Sequence, residues 1–290
     1  MDSQDYCEVA LKVDNEEQAE IIEAMVVDLG FDSFQFEEGD EPVLRCYIQT
    51  SLFDGNALGD ALAGIPWFKG GWSVRKLEAA DWNEEWEKTG FTAIEVGRVR
   101  VCPAGSEEAG DRVDGEGVNG DRITILLDPR MAFGTGHHDT TCMMMKTMQD
   151  NSEDIAGKSV MDLGCGTAVL GILAAKLGAG SVSAVDIDAT AVRSALGNIR
   201  LNGLDFEVVC SDASALKEDA YDVLLANIHK NIIISDLPRY RKALRRGGKL
   251  LLSGFYDRDA DEIAAVADGL GFTLLSSCSS NGWACLRFCK

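Results

Sequence analysis

A chain of 290 residues, 46% of them hydrophobic, has enough apolar material for a large domain with a smaller one beside it. Its 48 acidic against 27 basic residues leave a net charge of −21, which repels a phosphate backbone, argues against stable binding of free nucleic acid, and either favours a basic partner or only keeps the protein soluble, the reading that charge alone prefers. No basic leader opens the chain and no run approaches the ~18 apolar residues of a spanning helix, so the expectation is a cytoplasmic protein without membrane contact. Residues 6–13 alternate as a strand, and Asp14 with Glu17 forms a capping box for a helix with apolar positions at Ala19, Ile22, Met25, Val26 and Leu29 that Gly30 ends. Strands at 31–38 and 43–50, a short helix near 56–63 and a strand near 72–78 follow. This βαββαβ order is ferredoxin-like, and it closes residues 1–79 as a small α+β domain whose lack of a convergent polar cluster suits recognition better than catalysis.

Trp82 and Trp86, four apart in the stretch from Asp81 to Lys88, share one helical face, which suits a helical linker at 80–95 and equally two rings docked in a core, with 96–290 as the second domain. A strand is expected at 96–102, then a surface loop at 104–120, rich in glycine and acid, then a strand at 121–127. The glycines and hydroxyls from Asp128 to Thr141 lead into a helix at 142–149; they suit a loop that covers a ligand from a helix N-terminus, or equally a glycine-rich turn. His137 and His138 are adjacent and cannot easily share a metal, and the third histidine, His229, is far along the chain. Nine cysteines at irregular positions with no CxxC pair read as reduced thiols, and Cys278, Cys285 and Cys289 have no histidine near them, so no metal is expected.

Lys158 to Asp188 reads as strand, glycine turn, helix and a second strand ending on Asp186. Gly164 and Gly166 let the backbone turn sharply against a ligand, and the Asp186 carboxylate stands where it can accept from both hydroxyls of an adenosine ribose. Val169 occupies the place of the third glycine of a dinucleotide fold, which disfavours NAD. A helix at 189–201 and a strand at 206–210 lead to Asp212, placed to contact an adenine amino group or to cap the next segment. The strand 221–226 ends at Asn227, whose amide can accept from an amine. Helix 232–246, a Gly247–Gly248 turn, strand 249–253, helix 259–270 and strands 272–276 and 283–288 complete a seven-stranded sheet with one antiparallel edge.

Asp162-Leu163-Gly164-Cys165-Gly166-Thr167 resembles the first motif of class I methyltransferases that use S-adenosylmethionine, with Ala168 where that family usually has a further glycine. The implied fold class is α/β: a Rossmann-like seven-stranded methyltransferase sheet preceded by a small ferredoxin-like α+β domain. Together with that small domain, Trp82 and Trp86, the Ala132-to-Thr141 loop and Ala226-Asn227-Ile228, the chain is similar over nearly its whole length to the bacterial methyltransferases of large-subunit ribosomal protein eleven. The resemblance implies S-adenosylmethionine as cofactor, a basic ribosomal protein as substrate, and methylation of α-amino and lysine ε-amino groups. It places cofactor contacts on Thr141, Gly164, Asp186 and Asn227, with Asn227 also catalytic and Asp162 near the cationic amino group; Gly166, Thr135 and Asp212 complete the expected set. A methyltransferase of another protein or of a ribosomal RNA base, or a protein that binds S-adenosylmethionine without catalysis, would share the glycine turn, but the non-catalytic binder has no need of Asn227.

Overall fold

The computed structural model describes residues 6–26, 29–31, 33–37, 39, 42–50, 52–65, 67–68, 71–77, 93–105, 122–128 and 138–290. The chain divides into two compact units, Met1–Gly90 and Phe91–Lys290. The tryptophan stretch 81–88 and nearly all of the acidic loop 104–120 lie outside the described residues.

In the first unit, β1 (Tyr6–Lys12), α1 (Glu16–Val26), β2 (Ser33–Glu37), β3 (Val43–Gln49), α2 (Gly55–Ala63) and β4 (Trp72–Leu77) build an antiparallel sheet of order β2-β3-β1-β4, the ferredoxin-like arrangement. Period-two alternation buries Cys7, Val9 and Leu11 of β1 beside Leu44, Cys46 and Ile48 of β3, beneath Ile22 and Val26 of α1 and Leu58 and Leu62 of α2. Each such aliphatic side chain contributes on the order of 1.5–3 kcal/mol through burial. The cap of α1 falls one residue later than the sequence suggests: Asn15 Oδ1 accepts from the Gln18 N–H at 2.9 Å, and Gln18 reaches back to the Asp14 N–H at 2.9 Å. The Asn15 and Gln18 side chains therefore satisfy donors at the start of the helix.

The second unit opens with a hairpin. In place of one strand at 96–102, β5 (Ile94–Val96) and β6 (Val99–Pro103) pair antiparallel about Gly97, whose φ of 60° suits the first central position of a two-residue hairpin turn. Ile94 and Glu95 thus belong to a strand rather than to a helical linker. With β7 (Ile123–Leu127) they form a three-stranded sheet of order β5-β6-β7. There follow α3 (Asp139–Asp150), β8 (Ser159–Leu163), α4 (Val169–Lys176), β9 (Ser181–Asp186), α5 (Ala189–Leu201), β10 (Glu207–Cys210), β11 (Tyr221–Asn227), α6 (Lys230–Ala243), β12 (Leu244–Tyr256), α7 (Ala260–Gly269), β13 (Thr273–Ser280) and β14 (Trp283–Cys289).

The seven-stranded sheet has the order β10-β9-β8-β11-β12-β14-β13. β14 pairs antiparallel with both β12 and β13, so the reversed strand lies inside the edge and β13 is the edge itself. α6 ends three residues earlier than expected and β12 begins at Leu244; a register shift between Tyr221 and Val223 of β11 absorbs Gly247 and Gly248 into that strand. Leu224, Leu250 and Leu252 of the central strands pack with Leu237 and Tyr240 of α6, Ile263 of α7, and Phe272 and Phe288 to make the core that holds the site's floor rigid. Among the described residues no helix is long and apolar enough to cross a membrane.

Candidate cofactor and methyl-transfer site

Parallel register brings the carboxyl ends of the central strands level. Leu163 of β8 pairs with Val185 of β9 on one side and Ala226 of β11 on the other, so Gly164, Asp186 and Asn227 each stand one residue past a shared rung. Three residues singled out from the sequence therefore converge on the edge where such sheets take their ligands.

The turn after β8 is held open by its backbone conformation. Gly164 and Gly166 have φ of 64° and 52°. Ala168 adopts the same left-handed region at φ 61° and ψ 24°, at a cost of about 1–2 kcal/mol for a residue with a Cβ. Asp186 ties the turn to β9: its Oδ2 accepts from the Gly166 N–H at 2.8 Å and its Oδ1 from the Asp188 N–H at 2.9 Å. Each carboxylate oxygen keeps acceptor capacity for a ligand hydroxyl.

Asp162, 2% exposed, lies beneath the turn, where its Oδ2 accepts from the Gly171 N–H at 2.9 Å. Ala168 offers α4 no side-chain cap, so Asp162 caps that helix from the neighbouring strand. Burial pushes its carboxyl up to about 7, and the Gly171 bond only partly opposes this. Burial, with Asp162 and Asp186 nearby, likewise raises the Cys165 thiol, so the cysteine of the motif is an inert packing residue and not a nucleophile.

Asn227 donates from Nδ2 to Thr141 Oγ1 at 3.1 Å, which leaves its Oδ1 as the acceptor. Thr141 is buried in the first turn of α3, and that turn is moored independently. His138 caps it, Nδ1 lying 3.3 Å from the Thr140 N–H and 2.8 Å from Thr140 Oγ1. Asp139 accepts from Ser280 at 2.9 Å and from Asn281 at 3.1 and 3.2 Å on the β13–β14 hairpin, and these bonds hold its carboxyl below the usual range. The hairpin turn is Asn281–Gly282 with both φ positive, at 48° and 79°, and its Trp283 meets the His138 ring edge-on and stacks on Tyr256.

Asp212 accepts from the Ser214 N–H at 2.8 Å and caps a short 3-10 turn, so of the two uses open to it, capping is the one present here. Thr135 lies outside the described residues, as do His137 and most of its glycine loop. His229 is exposed at the start of α6 and makes no capping bond with its side chain. Among the described residues no group of three His, Cys, Asp or Glu side chains could hold a metal ion, and all nine cysteines are free thiols.

Three features at the edge went unread in the sequence. Ile187, between Asp186 and Asp188, is 73% exposed and gives the edge an apolar ledge. Ile228 is gripped between two glycines: a Cβ on Gly164 would lie 2.4 Å from its Cγ2, and one on Gly254 would lie 2.5 Å from its carbonyl oxygen and 2.7 Å from its nitrogen. Gly254 has φ 94° and falls at the register shift between β12 and β14. The signals were an isoleucine flanked by aspartates at a strand end, and a glycine inside an apolar strand, which marks a bulge or a close backbone approach.

A family model for "Ribosomal protein L11 methyltransferase (PrmA)" matches residues 50–290. The chain belongs to this family. Ribosomal protein L11 methyltransferase of Phocaeicola vulgatus is 36% identical over 278 residues, covering 94% of each chain. That of Porphyromonas gingivalis is 38% identical over 273 residues, covering 93% of this chain and 90% of the other. The crystal structure of ribosomal protein L11 methylase from Lactobacillus delbrueckii subsp. bulgaricus is 25% identical with a TM-score of 0.59, covering 68% of this chain and 97% of that one. Membership in the L11 methyltransferase family makes the chain an S-adenosylmethionine-dependent methyltransferase of class I fold. Ala168 is a strained position in this turn, an alanine held at a φ that glycine adopts freely.

Proposed function

We propose that the chain transfers methyl groups from S-adenosylmethionine to amino groups of ribosomal protein L11, both the α-amino group and lysine ε-amino groups, in the cytoplasm. The observation that carries this reading is the common level of Gly164, Asp186 and Asn227 at the sheet's carboxyl edge, in a chain of the L11 methyltransferase family. The donor set fits the cofactor: a carboxylate with spare acceptor capacity for ribose hydroxyls, an apolar ledge for a purine, and glycines at positive φ where the backbone lies against a ligand. When bound, S-adenosylmethionine supplies an electrophilic methyl group on a sulfonium.

Asp186 holds the ribose end, and Ile187 packs on the purine with Asp212 beside it. Asp162 and the Gly164–Gly166 turn face the methionine end. Asn227, with Nδ2 committed to Thr141, offers Oδ1 to an N–H of the incoming amine and turns the nitrogen lone pair toward the methyl. The first unit, whose sheet carries Glu8 bonded to Arg45 at 2.9 Å and Arg75 at 3.4 Å on the face away from its helices, contains none of these residues and serves to recognise the substrate. A net charge of −21 suits a basic protein partner. Incubation with labelled-methyl S-adenosylmethionine and unmethylated L11 should place label on L11; label on ribosomal RNA, or none on any ribosomal component, would overturn the assignment.

Asp162 gives the binding step a pH signature. Its raised carboxyl favours the folded state while protonated, a contribution present below the ordinary carboxylate range and lost as pH rises through about 7. A cationic amino group nearby favours the carboxylate, so binding lowers that pKa and releases a proton. Affinity for S-adenosylmethionine should therefore rise as pH increases toward about 7 and level off above. Calorimetry in buffers of different ionisation enthalpy would show the proton release, and a flat profile would remove Asp162 from the ligand contacts.

A further inference from the structure

Helix α5 turns two asparagines, Asn198 and Asn202, toward β7, and both side-chain amides are bonded. Asn202 Oδ1 accepts from the Leu126 N–H at 3.0 Å while its Nδ2 donates to the Leu126 carbonyl at 2.7 Å, so one side-chain amide takes both backbone groups of one β7 residue. One turn nearer the ligand edge, Asn198, 0% exposed, repeats half of this pattern: its Oδ1 accepts from the Asp128 N–H at 2.8 Å. The spacing allows it, since four helical residues rise about 6 Å and two strand residues about 6.6 Å. Its other half departs. Nδ2 turns away from β7 and donates to the carbonyl of Thr167 at 3.1 Å, inside the glycine turn.

That carbonyl belongs to the peptide leading into Ala168, the alanine held left-handed at φ 61°. Gly166, one residue before Thr167, donates its N–H to Asp186. The turn is thus fixed from two sides, by Asp186 at the Cys165–Gly166 peptide and by Asn198 at the Thr167–Ala168 peptide. A glycine at 168 would hold the left-handed conformation without help, whereas an alanine there relaxes unless something restrains it.

We infer that Asn198 is a positioning residue for cofactor binding, which holds the Thr167–Ala168 peptide in the strained turn that presents Gly166 to Asp186. Asn202, its look-alike one turn away, secures β7 alone. The inference rests on the glycine turn being the S-adenosylmethionine site. Calorimetric titration of the full-length protein with S-adenosylmethionine, together with turnover on L11 at saturating cofactor, tests it. Asn198→Ala should raise the cofactor Kd about tenfold or more, as expected for two lost hydrogen bonds, and leave saturated turnover within about threefold. Asn202→Ala should lower Tm yet keep Kd within about twofold of the parent. Adding Ala168→Gly to Asn198→Ala should recover a large part of the lost affinity, because glycine needs no restraint there. Should Asn198→Ala fail to fold, Asn198→Asp keeps the acceptor for Asp128 but sets a carboxylate against the Thr167 carbonyl, and its Kd should rise at least as much. Unchanged Kd in the Asn198 variants, an equal loss in Asn202→Ala, or no recovery with Ala168→Gly would each overturn the role. A parent protein that bound no S-adenosylmethionine would instead refute the cofactor site and leave the clamp's structural description intact.

Discussion

Replacing Asn227 with alanine is expected to cut turnover roughly 10²-fold or more, the scale for losing a preorganised polar contact at a reacting centre, with a much smaller change in cofactor affinity. The amide sits half-buried at the end of β11 with Nδ2 anchored on Thr141, so Oδ1 is already aimed when an amine arrives. A lysine amine with a pKa near ~10.4 is mostly protonated at neutral pH and has no lone pair to attack with until a proton leaves. An amide cannot take that proton, and His229, two residues past Asn227 in sequence, is exposed at the start of α6. The proton therefore departs to water, the rate should keep rising from neutral to alkaline pH, and His229→Ala should cost far less than Asn227→Ala. Rate profiles of the two variants decide it: loss of the pH dependence in His229→Ala, with Asn227→Ala fully active, would transfer the chemistry to the histidine.

Gly254→Ala should be the most damaging single-methyl change in the second unit. The added Cβ would lie 2.5 and 2.7 Å from backbone atoms of Ile228, which cannot swing aside as a side-chain tip would. The φ of 94° adds strain for any residue but glycine. Overpacking at about 1–3 kcal/mol plus a left-handed penalty of about 1–2 kcal/mol predicts a loss near 3 kcal/mol. For a unit of this size the corresponding fall in Tm is about 6–12 °C. Whatever strain relaxes must push Ile228 toward Gly164, which leaves a side chain no room either, so Asn227 moves with it and turnover falls in the fraction that still folds. Wild-type melting and wild-type activity in Gly254→Ala would show that Ile228 can shift freely and that Asn227 is not placed by this packing.

Sequence reading succeeded where periodicity and local chemistry agreed. Helix α5 was expected at 189–201 and spans Ala189–Leu201, because Asp188 caps its start and its apolar stripe has no competing register. The strand-end positions of Asp186 and Asn227 were legible because each closes a largely apolar segment, and strand ends on one side of a parallel sheet share an edge. The hairpin at Gly97 was not: Val96 to Cys102 alternates as one strand, and only the glycine's φ reveals the reversal. The mooring of α3 was hidden for another reason. Asp139 and Asn281 are 142 residues apart, and nothing local to either announces the other. The Asn281–Gly282 pair did carry a hairpin signal, which explains why β13 runs on to Ser280 rather than stopping at 276.

The Asn202 amide on Leu126 also bears on how the protein stays in solution. β7 lies at the outside of its three-stranded sheet, and an open strand there offers backbone groups on which another chain can add a strand and start aggregation. Asn202 takes both groups of Leu126, and Asn198 takes the N–H of Asp128, so the helix occupies the ladder that an intruding chain would need. A chain this rich in acid already resists self-association through charge, but salt screens that repulsion, whereas a hydrogen-bonded edge stays closed at any ionic strength. Two asparagines on one helix thus let an otherwise open sheet margin exist beside a cofactor site without becoming a point of polymerisation.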